Sequence, residues 1–433
     1  MAEAPGDRRP VYALLTANGI SQVGNTMTIV AGPWFVLQTT GSAAKTGLVG
    51  AAFALGLLMP ILGGPLVDRL GFRRGIVLAD FVSGVTVASI PALHLAGLLE
   101  YWHIVVLVFI LTSVNSQGDT AGLALVPALA RLAHMPIERV NARDRAVARL
   151  GSVLGPFLAG VLIAGIGAAN VLFVDAATFA ISALLVAAGV PRSVDAGERR
   201  PVEGGGRRYF AELADGLSFV RSKTFLMSMI LVATVGNFFD QPLLTVVAPV
   251  YANEIYDSPA SFGALVGSFS AGAFAGSLLF GAVGRTRSRR RIFLTSYVVG
   301  AVLIYGTLAL SPPLAVAIVA AIAAGLAFGP VNPIFVTVTQ ENTPAHLLGR
   351  VFGALTAIAQ AAIPIGAIVV GVAVQRAGLI PTIVGMGVVY VAVTIGMFFN
   401  PALRGMDVRH EPIDRTAAED AEAMKASRTT DIH

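Results

Sequence analysis

Twelve apolar runs, each of about the 20 residues that a helix needs to cross a bilayer, leave this chain little freedom in what it can become. They lie near 12–37, 45–67, 75–97, 104–126, 145–165, 169–190, 225–249, 260–283, 292–310, 313–338, 350–373 and 381–400. Only 13% of the 433 residues are charged, 55% are hydrophobic and the mean hydropathy is +0.76, far too apolar for a soluble globular protein. The expected fold is all-α and integral to the membrane, with twelve transmembrane helices. What remains between the runs has no room for a soluble catalytic domain, so no enzyme is expected.

The placement of charge gives the topology. A net charge of +5 and a pI near 9.7 would suit a nucleic-acid binder, but every Lys and Arg lies in a loop, at the end of a run or in a tail. One side holds Arg8, Arg9, Arg69 to Arg74, Arg131 to Arg149, the 192–223 linker, Arg285 to Arg291 and Arg350; the other holds Lys45 and Arg376. That is the positive-inside rule applied loop after loop. It predicts a multi-pass protein of the plasma membrane with both termini cytoplasmic and no nucleic-acid partner. Arg8-Arg9 precede an apolar run of full spanning length, which reads as a first span rather than a signal peptide.

There is no cysteine, and the six histidines show no metal-ligand spacing, so disulfides, thiol chemistry, metals and cofactors are not expected. Gly41-Ser-Ala-Ala-Lys45-Thr46 lacks the glycine before lysine that a phosphate loop needs. Nucleotide hydrolysis is thereby excluded, leaving an ion gradient or facilitated diffusion as the source of any transport.

The chain divides into a first six-helix half over 1–190, a linker over 191–223, a second half over 224–400 and a polar tail over 401–433 expected to be disordered. Within the linker, Tyr209 to Val220 is amphipathic at helical spacing and is expected on the inner leaflet. The halves echo each other. Arg139-Val140 followed by Gly155 and Gly160 is matched in register by Arg350-Val351, Gly366 and Gly371. Repetition of this kind is the trace of a transporter built from two bundles around a midplane site.

Between the second and third runs stands Gly64-Pro-Leu-Val-Asp68-Arg69-Leu-Gly71-Phe-Arg73-Arg74. Gly64 lets helix ends approach, and a carboxylate such as Asp68 suits a neighbouring helix N-terminus. The stretch resembles the signature between helices 2 and 3 of the major facilitator superfamily, with Gly64, Asp68, Arg69, Gly71 and Arg73 in place and Phe72 where a basic residue is usual. The resemblance implies that these residues control the conformational switch. The second-half counterpart, Gly281-Ala-Val-Gly-Arg-Thr-Arg-Ser-Arg-Arg-Arg291, lacks the aspartate. In the fifth run, Gly151, Gly155, Pro156 and Gly160 provide small residues for close helix packing and a proline bend. Their order resembles the antiporter motif of the same superfamily, which implies efflux; Ala159 replaces one of its paired glycines.

Polar side chains inside spans are expensive, about 2.5–3.5 kcal/mol for an aspartate at a helix centre, and are functional hypotheses by default. Asn18, Gln22 and Asn25 share one helical face, Asn115 and Asp119 another, and Asn237, Asp240 and Gln241 a third with Phe238 and Phe239 between them; Asn332 stands near Phe328 and Phe335. In the superfamily, helices 1, 4, 7 and 10 line the central cavity, which makes these residues the candidate substrate wall. Asp240 and Asp119 are the proton-coupling candidates, since an apolar environment disfavours a charged carboxylate and suits a group that trades a proton for a cation. Asp80, Asp175 and Glu341 are weaker candidates, the first two expected to bond neighbouring helices. Trp34 suits either stacking of a flat drug or anchoring at the interface.

Nearly the whole chain, including Gly24-Asn25, Pro33-Trp34, Gly155-Pro156, Asp175 to Phe179, Gly329-Pro330 and Gly349-Arg350-Val351, resembles the efflux subgroup that contains Tap-type multidrug pumps and the macrolide and enterobactin exporters. This implies a proton-coupled exporter of amphipathic neutral or cationic small molecules working by alternating access; a monomer is expected. Two positions depart from that pattern. Asn25 stands where the subgroup often has a titratable aspartate, and Val114 where the superfamily has an arginine, so coupling leans on Asp240 or Asp119. Buried acids without a buried Lys or Arg disfavour anionic substrates. The alternatives are a metabolite or siderophore carrier of the same fold and a non-transporting sensor or scaffold.

Overall fold

The computed structural model describes residues 7–59, 71–192, 194, 205–283, 288–344 and 347–407, the side chains of 205–213 and 283 excepted. Among the described residues the secondary structure is helical. The first half comprises α1 (Arg9–Thr40), α2 (Ala43–Leu57), α3 (Phe72–Leu95), α4 (Tyr101–Leu132), α5 (Ile137–Ile166) and α6 (Ala168–Gly189). The second comprises α7 (Thr224–Tyr256), α8 (Pro259–Val283), α9 (Arg289–Ala309), α10 (Leu314–Glu341), α11 (Leu348–Ala377) and α12 (Leu379–Phe398). Ten of these have the length and apolarity of a spanning helix. The polar residues of α1 dilute its hydropathy, and α2 is described over only 15 residues.

Each half forms its own bundle: α1 packs on α5 and α6, and α3 on α4 and α6, while α7 packs on α11 and α12, and α9 on α10 and α12. The pseudo-symmetry extends to single residues. One glycine turns α5 into α6 and another turns α11 into α12, with φ 82° at Gly167 and 89° at Gly378, a conformation in which a Cβ is strained. Arg73, in the first turn of α3, donates to the carbonyls of Ala187 and Val190 at the C-terminus of α6. Arg290, in the first turn of α9, donates to Phe398 O at the C-terminus of α12. Both arginines put positive charge on the negative end of a helix dipole.

The halves meet through α2 on α11 and α5 on α8. Both seams are glycine against glycine. A methyl placed on Gly263 would come within 2.3 Å of Pro156 O and 2.8 Å of Gly160 Cα, and one on Gly47 within 2.3 Å of Ala367 O and 3.1 Å of Gly371 Cα. Absent side chains bring backbones into contact, the packing that substitutes in lipid for a hydrophobic driving force. These contacts lie in the half of the bundle remote from Arg9 and Phe398. There too, Trp34 and Phe35 of α1 share a core with Ala252 and Phe262 of the second half. At the end bearing the termini the cores stay apart. One draws Leu14, Leu125, Leu129 and Val140 from the first half, and the other Leu226, Ile230, Val351 and Leu355 from the second. Among the described residues the halves share a core at one end and keep separate cores at the other, a sealed and a parted end.

One expectation about the connecting segments is revised. The linker helix, Gly205–Ser222, packs on the start of α11, with Gly216 against the Arg350 backbone and Asp215 3.2 Å from Arg350, because a glycine there allows backbone approach. Pro401–Asp407 is not disordered: it forms a 3-10 helix whose Leu403 and Met406 are buried in the second-half core. Residues 195–204 and 408–433 lie outside the described residues.

Candidate substrate cavity

A cavity of about 610 Å³ opens in the second half, walled by α7, α8, α9, α10 and α11. Its shape follows from three interruptions of regular helix. Pro242 of α7 removes a backbone donor, and the π-helical turn Leu243–Val247 follows directly, putting Leu243 and Leu244 on the cavity wall. A second π turn, Val302–Gly306 in α9, contributes Ile304. In α10 the helix breaks at Gly329-Pro330, and Phe328, Val331 and Asn332 around the break all face the cavity. Widened and broken turns interrupt the ridge of side chains that would otherwise fill such a space.

The walls are aromatic and aliphatic with a few polar groups. Phe269, Phe328, Phe335, Tyr251 and Tyr297 supply rings; Asn237, Gln241, Asn332, Gln360, Thr356 and Ser270 supply hydrogen-bonding groups. Asp240 is the one charged residue among the lining residues, and no Lys or Arg accompanies it. Its Oδ2 accepts a 3.0 Å hydrogen bond from the Tyr390 hydroxyl, and its neighbour Asn237 donates to Ala359 O at 3.0 Å, tying α7 to α12 and α11. Such a site can enclose a drug-sized apolar molecule and meet one positive charge.

The residues singled out from sequence fall into separate places. Asn237, Asp240, Gln241, Phe328, Asn332 and Phe335 come together on the cavity wall. Phe238 does not line it; its backbone carbonyl is pressed against Gly366 of α11 and its ring against Phe239. The polar residues of the first half pair among themselves instead. Asn18 donates to Asp144 at 3.0 Å, Asn115 donates to Asn25 at 3.1 Å, and Gln22 packs on Gly151. Asp119, one turn beyond Asn115, is exposed and is not among the lining residues. Trp34 is 2% exposed and stacks on Phe262 at 6.4 Å in the sealed end, so it is in no position to stack a ligand in this conformation.

Along α5, Gly151 and Gly155 face α1, where Thr26 donates to Gly151 O at 3.0 Å, whereas Pro156 and Gly160 face α8. Of the α2–α3 signature, Gly71 starts α3 with φ 87° and Arg73 holds α6; Gly64, Asp68 and Arg69 lie outside the described residues. Asp80 accepts from Ser182 at 2.7 Å, and Asp175 from Thr28 and Thr178, so both join helices within the first half. Glu341 pairs with Arg289 across α10 and α9.

Sequence reasoning missed Tyr251, Tyr297, Thr356 and Gln360 on the wall and Tyr390 behind it. Gln360, an isolated amide in an apolar run, was the one recognisable signal. Buried tyrosines read like lipid-facing aromatics until their neighbours are known.

Residues 14–367, and again 230–420, match the Major Facilitator Superfamily. The multidrug efflux pump Tap of Mycolicibacterium fortuitum is 31% identical over 410 residues, covering 94% of this chain and 99% of that protein. Macrolide efflux protein A of Streptococcus pyogenes is 22% identical over 406 residues, covering 92% and 97%. In fold, the chain superposes on the crystal structure of the nucleoside transporter NupG with a TM-score of 0.73 over 90% of its length and 99% of that chain, at 13% identity. Two six-helix bundles, glycine seams between them and end-to-end similarity to these transporters make this chain a multi-pass membrane protein of the Major Facilitator Superfamily.

Proposed function

We propose that this protein exports amphipathic neutral or cationic small molecules, antibiotics among them, by alternating access in exchange for protons. The observation that carries the reading is the cavity itself: about 610 Å³ of aromatic and aliphatic wall with one carboxylate, Asp240, and no cationic side chain. An anion would be desolvated there without a partner, while a lipophilic cation gains apolar burial, ring faces and a counter-ion. The efflux activities named for the Tap and macrolide relatives support the direction, as does the glycine pattern of α5. With both termini on the cytoplasmic side, as the positive-inside distribution of charge predicts, the sealed end is external and the parted end opens inward, ready to load from the cytoplasm or the inner leaflet.

Asp240 is the group that holds a proton and a substrate cation in alternation, because it is the carboxylate on the cavity wall. Asp119 belongs to the other half and is not among the lining residues, so the role is assigned to Asp240. The test is accumulation of a panel of antibiotics and cationic dyes in pump-deficient cells expressing the chain, with and without a protonophore. Reduced accumulation that the protonophore restores is the expected result. Accumulation equal to empty-vector cells across the panel would reject the reading.

A further inference from the structure

Tyr390 is on α12, a helix that contributes nothing to the cavity wall, yet its hydroxyl reaches Asp240 Oδ2 at 3.0 Å. The residue is 1% exposed. Four rings surround it, Tyr305 at 5.8 Å, Phe239 at 6.0 Å, Tyr297 at 6.1 Å and Phe328 at 6.4 Å between centroids. Gly236, one turn before Asp240, completes the enclosure: a methyl there would lie 3.4 Å from the Tyr390 hydroxyl and 3.1 Å from the Tyr297 ring. A ring packed on all sides has one rotamer open to it, so the core of the bundle, not the solvent, sets where this hydroxyl sits.

A carboxylate offers two oxygens. The hydroxyl occupies Oδ2, and Oδ1 has no protein hydrogen-bond partner among the described residues. Asp240 itself is half-buried and lines the cavity. Resting on the reading of Asp240 as the substrate's counter-ion, we infer that Tyr390 is a positioning residue: it pins Oδ2 to the back wall and thereby presents Oδ1 to a monocationic substrate. A helix that does not line the cavity then determines how well charge is recognised. An untethered Asp240 samples more rotamers, and ordering it on binding weakens cations. Neutral ligands, which make no use of the carboxylate, are indifferent.

The experiment is equilibrium binding to the full chain in lipid nanodiscs, with tetraphenylphosphonium as the cation and Nile red as the neutral probe. Tyr390→Phe keeps the ring and removes only the hydroxyl. It is expected to weaken tetraphenylphosphonium about 5–10-fold while leaving Nile red within about twofold. Asp240→Asn is expected to weaken tetraphenylphosphonium by about 30-fold or more, and the double variant to behave as Asp240→Asn alone. A role confined to packing would shift both probes together and add to the Asp240→Asn effect; either outcome overturns the inference, as does unchanged tetraphenylphosphonium affinity in Tyr390→Phe. Should Asp240→Asn bind tetraphenylphosphonium like the unaltered protein, the counter-ion reading fails first and takes this inference with it. Loss in Asp240→Asn without loss in Tyr390→Phe rejects the inference and leaves the reading standing.

Discussion

In the first half one buried carboxylate stands on the last helix and its hydroxyl partner on the first: Asp175 of α6 accepts from Thr28 of α1. In the second half the pair is reversed, Asp240 of α7 accepting from Tyr390 of α12. Equivalent helices are joined in both bundles, but the reversal changes what each acid can reach. Asp175 sits at 0% exposure with its oxygens taken by Thr28 and Thr178, and it presses on Gly24 at the back of α1. Asp240 is carried by the helix that walls the cavity and keeps one oxygen for it. The same contrast runs through the backbones. Turns in α7, α9 and α10 are widened or broken where the cavity forms, while the polar residues of α1, α4 and α5 are spent on one another. On the proposed reading, a duplicated scaffold thus holds a binding half and a closing half.

The largest expected effect separates the α2–α3 loop from its second-half counterpart. Asp68 belongs to the first-half loop, and the second-half loop over 281–291 has no acid. Asp68→Asn is expected to reduce turnover to background with membrane expression intact, measured as dye efflux against immunoblot; retained efflux would remove the switch role and the asymmetry with it. Next come the two carboxylates. Asp240→Asn is expected to lower efflux of cationic dyes by about 30-fold, Asp175→Asn by no more than about threefold, because an amide still accepts from Thr28. Comparable losses in both would erase the distinction between a binding and a closing half.

The seams sharpen the comparison further. Gly263→Val places a side chain against Pro156 O, where even a methyl comes within 2.3 Å, and is expected to cut transport about tenfold by opposing closure of the sealed end. Gly32→Ala, with open space around it, is the control and is expected to be silent. The smallest effects belong to the paired arginines. Arg73→Ala and Arg290→Ala each remove a cation from a helix C-terminus and are expected to lower the unfolding temperature by about 2–4 °C. A loss of transport in one and not the other would show that the pseudo-symmetric clamps do different work.

Much of this was legible in the sequence. The run expected at 350–373 is the helix Leu348–Ala377, and that at 75–97 is Phe72–Leu95. The register of Gly155 and Gly160 with Gly366 and Gly371 reappears as matched contacts, Gly155 on α1 and Gly366 on α7, Gly160 on α8 and Gly371 on α2. Hydropathy and small-residue spacing are local properties, so they survive without coordinates. Periodicity also put Asn237, Asp240 and Gln241 on one face of α7, and that face does meet the cavity. It could not say that the similar face of α1 spends Asn18 on Asp144, because a helical wheel names a face and not the helix opposite. Nor could it find Tyr390, whose role depends on a contact 150 residues away in the chain. Pro242 marked a break in α7, but that the break takes the form of a π turn at Leu243, and that a second π turn stands at Val302 with no proline beside it, could not be read from the sequence.

The most direct measurement is proton-driven ethidium transport in everted membrane vesicles carrying either the unaltered chain or Asp240→Asn, with a pH gradient imposed across the membrane. The account predicts that the unaltered chain concentrates ethidium inside the vesicles, that collapsing the gradient stops it, and that Asp240→Asn shows background uptake while remaining in the membrane. Transport by Asp240→Asn equal to that of the unaltered chain, or uptake indifferent to the gradient, would contradict it.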